Sequence, residues 1–270
     1  MGPAFFFRSM IMKFRPCIDL HEGKVKQIVG STLREQSPAS LQTNFVADQP
    51  PAYYAGLYKK DGLDGGHVIM LGPGNEDAAI EALGAFSGGL QIGGGINDEN
   101  APFWLRKGAS HVIVTSWVFR DGMVDVARLH RLVEVIGKSR LVLDLSCRKK
   151  DSDYYIVTDR WQNFTEVKID ASTLSELSEY CDEFLVHAAD VEGKCEGVEV
   201  ELVKILGASS PIPTTYAGGI RGITDLELVH KFGQGQLDFT IGSALDLFGG
   251  THIRYADAVS FHNRHAQSHA

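Results

Sequence analysis

Arg140-Leu-Val-Leu-Asp-Leu-Ser-Cys147 is a short apolar run with one carboxylate, Asp144, near its C-terminal end. It lacks the polar alternation of a strand with one wet face, so it reads as a strand buried on both faces. Phe14-Arg-Pro-Cys-Ile-Asp-Leu20 is a second such strand, with Asp19 at the same place. An ionisable side chain among buried strand residues is costly unless it faces a polar site. Either aspartate alone reads as readily as a strand cap or a partner for a cation. Two at matching positions, about 125 residues apart, point to a paired-carboxylate site.

Outward from these strands, apolar runs and helical stretches alternate. Further strands are expected at His67–Leu71, Leu90–Ile92, His111–Thr115, Glu183–Ala188, Ile212–Tyr216 and Leu237–Ile241. Helices are expected at Ala52–Lys60, Glu76–Phe86, Asp98–Lys107, Val124–Ile136, Ser172–Tyr180, Val198–Leu206, Thr224–Phe232 and Arg254–Phe261. Eight βα units in one chain of this size imply an α/β fold, a (β/α)8 TIM barrel with its site at the C-terminal ends of the strands. A doubly wound open sheet is the competing topology. It would carry a glycine-rich dinucleotide turn after the first strand, and neither that turn nor a Walker A sequence is present.

The expected boundaries are an N-terminal tail over 1–13, a single barrel domain over 14–262 and a C-terminal tail over 263–270. Three segments interrupt the alternation. His21–Gly30 reads as a small hairpin, and Ser31–Pro51 as a long polar loop. Arg148–Lys168 is a polar excursion, with a hairpin through Tyr154–Val157. Long loops in compact domains are commonly functional, so the last two are expected to move and to close over a ligand.

Composition narrows the class. Hydrophobic residues at 44% and charged residues at 22% describe a globular chain. A net charge of −8 argues against a nucleic-acid surface, which needs clustered Lys and Arg, but leaves room for a small phosphorylated ligand held by backbone amides. No apolar run reaches the roughly 18 residues of a membrane span, so no membrane partner is expected. The apolar Met1–Met12 lacks the order of a signal peptide and reads as a leftover of start-site choice or of a removed targeting sequence. Cys17, Cys147, Cys181 and Cys195 are scattered without a Cys-x-x-Cys pair, which predicts reduced thiols, no metal and an intracellular protein. His262, His265 and His269 fall in a polar tail and are expected to be solvated.

The two halves echo one another. Ile92-Gly-Gly-Gly-Ile96 matches Tyr216-Ala-Gly-Gly-Ile220, and Val114-Thr-Ser-Trp117 matches Ile241-Gly-Ser-Ala244. Both pairs repeat at nearly the spacing of the two aspartates, which suggests a doubled half-barrel. Glycines where a strand hands over to a helix allow close approach of an anion to backbone amides. Gly94, Gly95, Thr115 and Ser116 would form one phosphate cradle; Gly218, Gly219, Gly242 and Ser243 would form the other. A single Gly-Gly turn is as often only a turn. Two, each completed by a serine, predict a ligand anionic at both ends with its reacting centre between Asp19 and Asp144.

These motifs also carry a resemblance. Pro16-Cys-Ile-Asp-Leu-His-Glu-Gly-Lys-Val, the Gly-Gly-Ile turns, Leu-Asp-Leu-Ser, Thr43-Asn-Phe-Val46, His187-Ala-Ala-Asp-Val-Glu-Gly193 and Leu245-Asp-Leu-Phe-Gly-Gly250 resemble the histidine-biosynthesis barrel enzymes, most closely the eukaryotic ribotide isomerases. The resemblance covers Phe14 to His262 and implies an Amadori rearrangement of a bis-phosphorylated ribonucleotide. It implies no cofactor, no metal and a monomer, in the plastid of a plant or otherwise in the cytoplasm. By the same resemblance Asp144 is the general acid that opens the ribose, Asp19 is the base at C2, and Trp161 covers the substrate. Without the family, Trp161 reads nearly as well as a hydrophobic plug. An acid at pH 7 requires the pKa of Asp144 to rise from about 3.9 by some three units.

The chain departs from the better-known bacterial pattern at Met70–Asn75, Thr115, Ala188 and Gln27, which leaves His187, Asp190 and Glu192 without assigned roles. Two rival readings stand. One is the sister cyclase, which would show a Lys at position 27 and dock a glutaminase partner. The other is a phosphate-binding barrel without catalysis.

Overall fold

The computed structural model describes residues 11–28 and 43–266. Its core is a set of parallel strands: β1 Cys17–His21, β2 Gly66–Met70, β3 Leu90–Gly93, β4 Val112–Val114, β5 Leu141–Asp144, β6 Glu183–His187, β7 Thr214–Ala217 and β8 Leu237–Phe239. Each pairs in parallel with the next. The sheet curls until its ends meet. Phe14 bridges Phe239 in parallel, Arg15 N donates to Phe239 O at 2.8 Å, and Phe239 N donates to Lys13 O at 2.9 Å. These bonds join the first and last strands of the α/β barrel expected from the sequence.

After each strand comes a helix: α1 Pro51–Lys60, α2 Glu76–Ala85, α3 Ala101–Arg106, α4 Val126–Ile136, α5 Ala171–Leu177, α6 Val200–Ser209, α7 Ile223–Phe232 and α8 Tyr255–Ala266. Local chemistry sets several of the starts. Asp125 and Asp170 cap α4 and α5 by accepting from Arg128 N and Thr173 N, and Pro51 opens α1, where its missing N–H costs nothing. Leu129 and Leu132 of α4, Leu202 and Leu206 of α6, and Leu226 and Val229 of α7 are buried at helical spacing.

Strand residues two apart share a face. One face of the ring carries Ile113, Val142 and Leu185, which pack together with Ile69. Two residues further along β5 and β6 that face reaches Asp144 and His187, at the C-terminal end. The opposite end is closed by ions. Arg15 Nε donates to Asp238 Oδ2 at 2.8 Å, Arg15 Nη2 lies 3.5 Å from Glu183 Oε1, and Gln91 Nε2 donates to Glu183 Oε2 at 2.8 Å, all four being buried.

Several expectations change. Met12 is fully buried and Lys13 N donates to Asp238 Oδ1 at 2.8 Å, so the barrel begins before Phe14; residues 1–10 lie outside the described ones. His262 is not solvated. It is buried on α8, and its Nδ1 accepts from Phe14 N at 3.2 Å. His265 lies on the same helix against Phe261 and His230, both with ring centroids at 4.4 Å, so α8 extends into the stretch expected as a tail. His269 is outside the described residues.

The hairpin expected over His21–Gly30 is present, with Lys24–Ile28 folded back antiparallel on β1. Within Ser31–Pro51, Thr43–Val46 adds a further strand beside it, and Pro51 already belongs to α1; Gly30 and residues 31–42 are outside the described ones. Arg148–Lys168 is a three-stranded antiparallel sheet, Cys147–Lys150, Asp153–Thr158 and Asn163–Lys168, rather than a loop with one hairpin. Tyr154, Ile156 and Val167 are buried on one side of it, and Val157 is buried on the other, at the cavity wall. A short hairpin of Phe119–Arg120 and Met123–Val124 also lies within the stretch before α4.

The ion cluster gives a stability test. Arg15→Met strands Asp238 and Glu183 without their cation, which should lower the unfolding free energy by about 3–5 kcal/mol. A urea titration reads this, and a loss below ~1 kcal/mol would show that the cluster contributes little.

Candidate active site

The C-terminal ends of the strands surround a cavity of about 960 Å³, lined among others by Asp19, Gly94, Gly95, Ser116, Asp144 and Trp161. A smaller one of about 40 Å³ lies beside it, lined by Gly218, Gly219, Gly242 and Ser243. Asp19, His187 and Glu192 line both. The structure therefore brings together the two aspartates and both glycine–serine sets, with the sets on either side of a shared acidic centre.

Each glycine pair needs its glycines. Gly94 and Gly95 have φ of +97° and +70°, and Gly218 and Gly219 have +114° and +73°, values that L side chains rarely adopt. A Cβ on Gly94 would lie 2.2 Å from Met70 O, and one on Gly219 would lie 2.0 Å from Gly197 O. Gly242 leaves room of another kind, for Gln27, whose Oε1 would be 2.5 Å from an added Cβ.

The serines already have polar neighbours. Ser116 Oγ accepts from Asp159 N at 3.1 Å, and Ser243 Oγ accepts from Asn44 Nδ2 at 3.2 Å. Thr115, expected among the phosphate ligands, donates from Oγ1 to Asp144 Oδ2 at 3.2 Å, because it directly follows β4, the strand next to β5. Asp159 belongs to a tip that also carries Arg160 and Trp161, with φ of +52°, +58° and +63°. Three non-glycine residues in the left-handed region are strained, and such strain persists only where surrounding bonds hold it. Here Asn163 Nδ2 and Thr158 Oγ1 both donate to Asp159 Oδ2. The tip sets the Trp161 ring 5.7 Å from that of His187, at the wall of the cavity.

The two aspartates differ. Burial pushes Asp19 up, Glu192 opposite adds to the rise, and His187 and the 2.9 Å bond from Gln27 Nε2 only partly offset it, so its pKa stands at about 7. Burial pushes Asp144 up as well, but its contact with His187 and bonds from Ser146 outweigh that and hold it below the ordinary value. Ser146 N and Oγ donate to Asp144 Oδ1 at 2.8 and 2.6 Å, and His187 Nδ1 lies 3.7 Å away. The expectation of a raised Asp144 is thus reversed. The raised carboxyl is Asp19, because it has fewer donors and faces a second carboxylate.

A profile described as "Histidine biosynthesis protein" matches residues 13–252. The chain belongs to that family. A Medicago truncatula relative is 55% identical over 258 residues, which cover 94% of this chain and 82% of the relative. It is named a chloroplastic 1-(5-phosphoribosyl)-5-((5-phosphoribosylamino)methylideneamino) imidazole-4-carboxamide isomerase. Relatives named as the same isomerase are 51% identical in Yarrowia lipolytica and 47% in Saccharomyces cerevisiae, each over 93% of this chain and 98% of the relative.

In this histidine biosynthesis barrel, Glu192 and His187 are the residues whose part in the centre the sequence did not reveal. His187 ends β6 and Glu192 lies in the loop after it, but no matching residue in the other half flagged them. Asp190 does something else: it accepts from Arg148 Nε at 2.8 Å and Lys149 N at 2.9 Å, tying the three-stranded sheet to the loop after β6. Among the described residues, His111, Asp182 and Glu183 have potential metal-ligand atoms within 4.8 Å of one another. They lie at the strand N-termini, away from Asp144, and Glu183 is already bound to Gln91 and Arg15.

The raised Asp19 makes stability depend on pH. From about pH 4 to about pH 7 the folded chain keeps a proton that the unfolded chain has released, so this carboxyl costs stability increasingly as pH rises. Three units correspond to ~4 kcal/mol, and access to cavity water reduces that to about 2. Asp19→Asn should therefore unfold at higher denaturant than the parent at pH 8 and at the same denaturant at pH 4. Equal midpoints at both pH values would refute the raised pKa.

Proposed function

We propose that this chain is the aldose–ketose isomerase for which its relatives are named, rearranging the N-linked phosphoribosyl group of the imidazole-carboxamide ribotide to its phosphoribulosyl isomer. Relatives at 44–55% identity over most of the chain support the activity. The observation that carries the substrate reading is the pair of glycine–serine sets on either side of one acidic centre. A molecule with a phosphate at each end would span them, with its ribose at Asp19.

The reaction opens the ribose ring by protonating its oxygen, removes the C2 proton to give an enolamine, and returns a proton to C1. Hydrogen moves between adjacent carbons, so the balanced reaction calls for no redox cofactor. Asp19, with a pKa of about 7, is the base at C2, since a base works best when its pKa lies near the working pH. The acid acts from the Asp144 side of the cavity. Trp161 and the tip that carries it cover the reacting centre and exclude water.

The two cradles are the products of a repeat. Each half of the barrel supplies one Gly-Gly turn, one serine and one aspartate, and a segment from the neighbouring βα unit reaches each serine: Asp159 to Ser116, and Asn44 to Ser243. In this reading the chain acts as a monomer on a small molecule. Among the described residues no helix is long and apolar enough to cross a membrane. The enzyme belongs to the plastid if its source is a plant, as the name of the Medicago relative suggests, and otherwise to the cytoplasm.

Mixing the protein with the ribotide and following the ultraviolet spectrum, without glutamine or ammonia, tests the activity. Conversion is expected, and turnover only with an ammonia source would favour the sister cyclase. Asp19→Asn should lower kcat by about 10²–10⁴-fold with KM within a few-fold; retention of more than about a third of the parent rate would remove its role.

The parent should also bind two inorganic phosphates, and Ser116→Glu or Ser243→Glu one each. In either variant a carboxylate takes the place of a phosphate and repels the substrate, so KM should rise. Loss of both sites through one substitution would contradict separate cradles.

A further inference from the structure

His187 stands at the centre of the cavity, yet the reaction as drawn gives it no task. It ends β6 two residues beyond Leu185, on the face that packs against Val142. Its Nδ1 lies 3.2 Å from Ser146 Oγ and 3.7 Å from Asp144 Oδ1, and Ser146 Oγ in turn donates to the same oxygen at 2.6 Å. One edge of the ring is thus committed to Asp144 and Ser146. The ring also lines both cavities, under the Trp161 ring and edge-on to His67 at 6.3 Å.

We propose that His187 is the acid that protonates the ribose ring oxygen, and that Asp144 and Ser146 position it and hold its charge rather than supplying the proton themselves. This rests on the isomerase reading of the site. Nδ1 faces Asp144, which leaves Nε2 as the nitrogen available to a ligand. An imidazole oriented by a carboxylate at one nitrogen and presented to the substrate at the other is a recurrent way to fix both tautomer and charge.

The surrounding charges agree. Burial pushes His187 down, but Asp144 beside it, then Glu192 from the loop after β6 and Asp19 from β1, outweigh burial and hold its pKa above the ordinary histidine value. His67 on β2 is the other titratable group facing it. Burial and the charge of His187 push His67 to about 3, so it stays neutral at pH 7 and does not compete for the proton. Asp144 is held below the ordinary carboxylate value and has no proton to give.

The proton balance closes. His187 Nε2–H passes to the ring oxygen as the C1–O bond breaks and the nitrogen lone pair forms the C1=N bond. Asp19 takes the C2 proton, and the electron pair of that bond becomes the C1–C2 double bond of the enolamine. The enol hydroxyl at C2 then returns a proton to His187 while Asp19 protonates C1, giving the ketose and both residues in their starting states.

The test is the pH dependence of kcat in the parent, His187→Gln and Asp144→Asn. In the parent, kcat should fall at alkaline pH as the imidazolium is lost. Asp144→Asn should keep that limb but move it down by about one pH unit or more, since the charge that held the proton is gone. His187→Gln should lose about 100-fold or more in kcat, keep KM within about threefold and lack the limb.

Retention of more than about a third of kcat, or of the parent's alkaline limb, in His187→Gln would overturn the proposal. Nitrogen NMR of the resting parent checks it without turnover or mutation: the His187 ring should be an imidazolium at pH 7, and a neutral ring at pH 6 would refute it. A parent that does not isomerise the ribotide would instead sink the functional reading.

Discussion

Two backbone hydrogen bonds, from Arg15 to Phe239 and from Phe239 to Lys13, join the first strand to the last and turn a curled sheet into a ring. Closing the ring places the Arg15 guanidinium between Asp238 and Glu183, where three buried charges and Gln91 satisfy one another. A buried carboxylate without a partner would be driven to neutrality or would destabilise the fold. The same closure brings the end of β8 against β1. Only then do Gly242 and Gln27 touch, and only then do Ser243 and Asp19 share one pocket.

The other end of the ring uses charge differently. Asp19 and Asp144 stand at equivalent places on β1 and β5, yet their environments push their pKa values apart. Asp144 has two donors from Ser146, one from Thr115 and an imidazole beside it. Asp19 has one amide from Gln27 and faces Glu192. Pairs of titratable groups separated in this way mark where acid and base work are divided. The division here places the readily protonated carboxyl on the β1 side and an imidazole–carboxylate pair on the β5–β6 side.

The segments beyond the barrel strands contribute position rather than bulk. The three-stranded sheet after β5 carries a strained tip over the cavity, where its Asp159 amide meets Ser116 and its Trp161 ring covers His187. Across the barrel, Asn44 meets Ser243. Both serines accept a hydrogen bond there, which leaves each hydroxyl hydrogen able to donate to a ligand. On the proposed reading, a phosphate at either end would meet donors that the fold already holds in place.

The sequence by itself determined the alternation of strands and helices, the eight βα units, the two aspartates and the glycine–serine pairs. These are local properties: apolar runs without alternation, turns that need positive φ, and landmarks repeated at one spacing. It also carried the family likeness that relatives over most of the chain bear out.

Three features were out of reach, and each depends on residues distant in the chain. The strand Thr43–Val46 and the three-stranded sheet lie in polar stretches, and they are ordered by pairing with strands that the local sequence does not announce. His262 read as part of a solvated tail until Phe14, 248 positions away, supplied its donor. The charge of Asp144 could not be read from Leu-Asp-Leu-Ser, because a pKa is set by everything that surrounds a group in space. That sum over burial, His187 and Ser146 exists only once the barrel has closed around them.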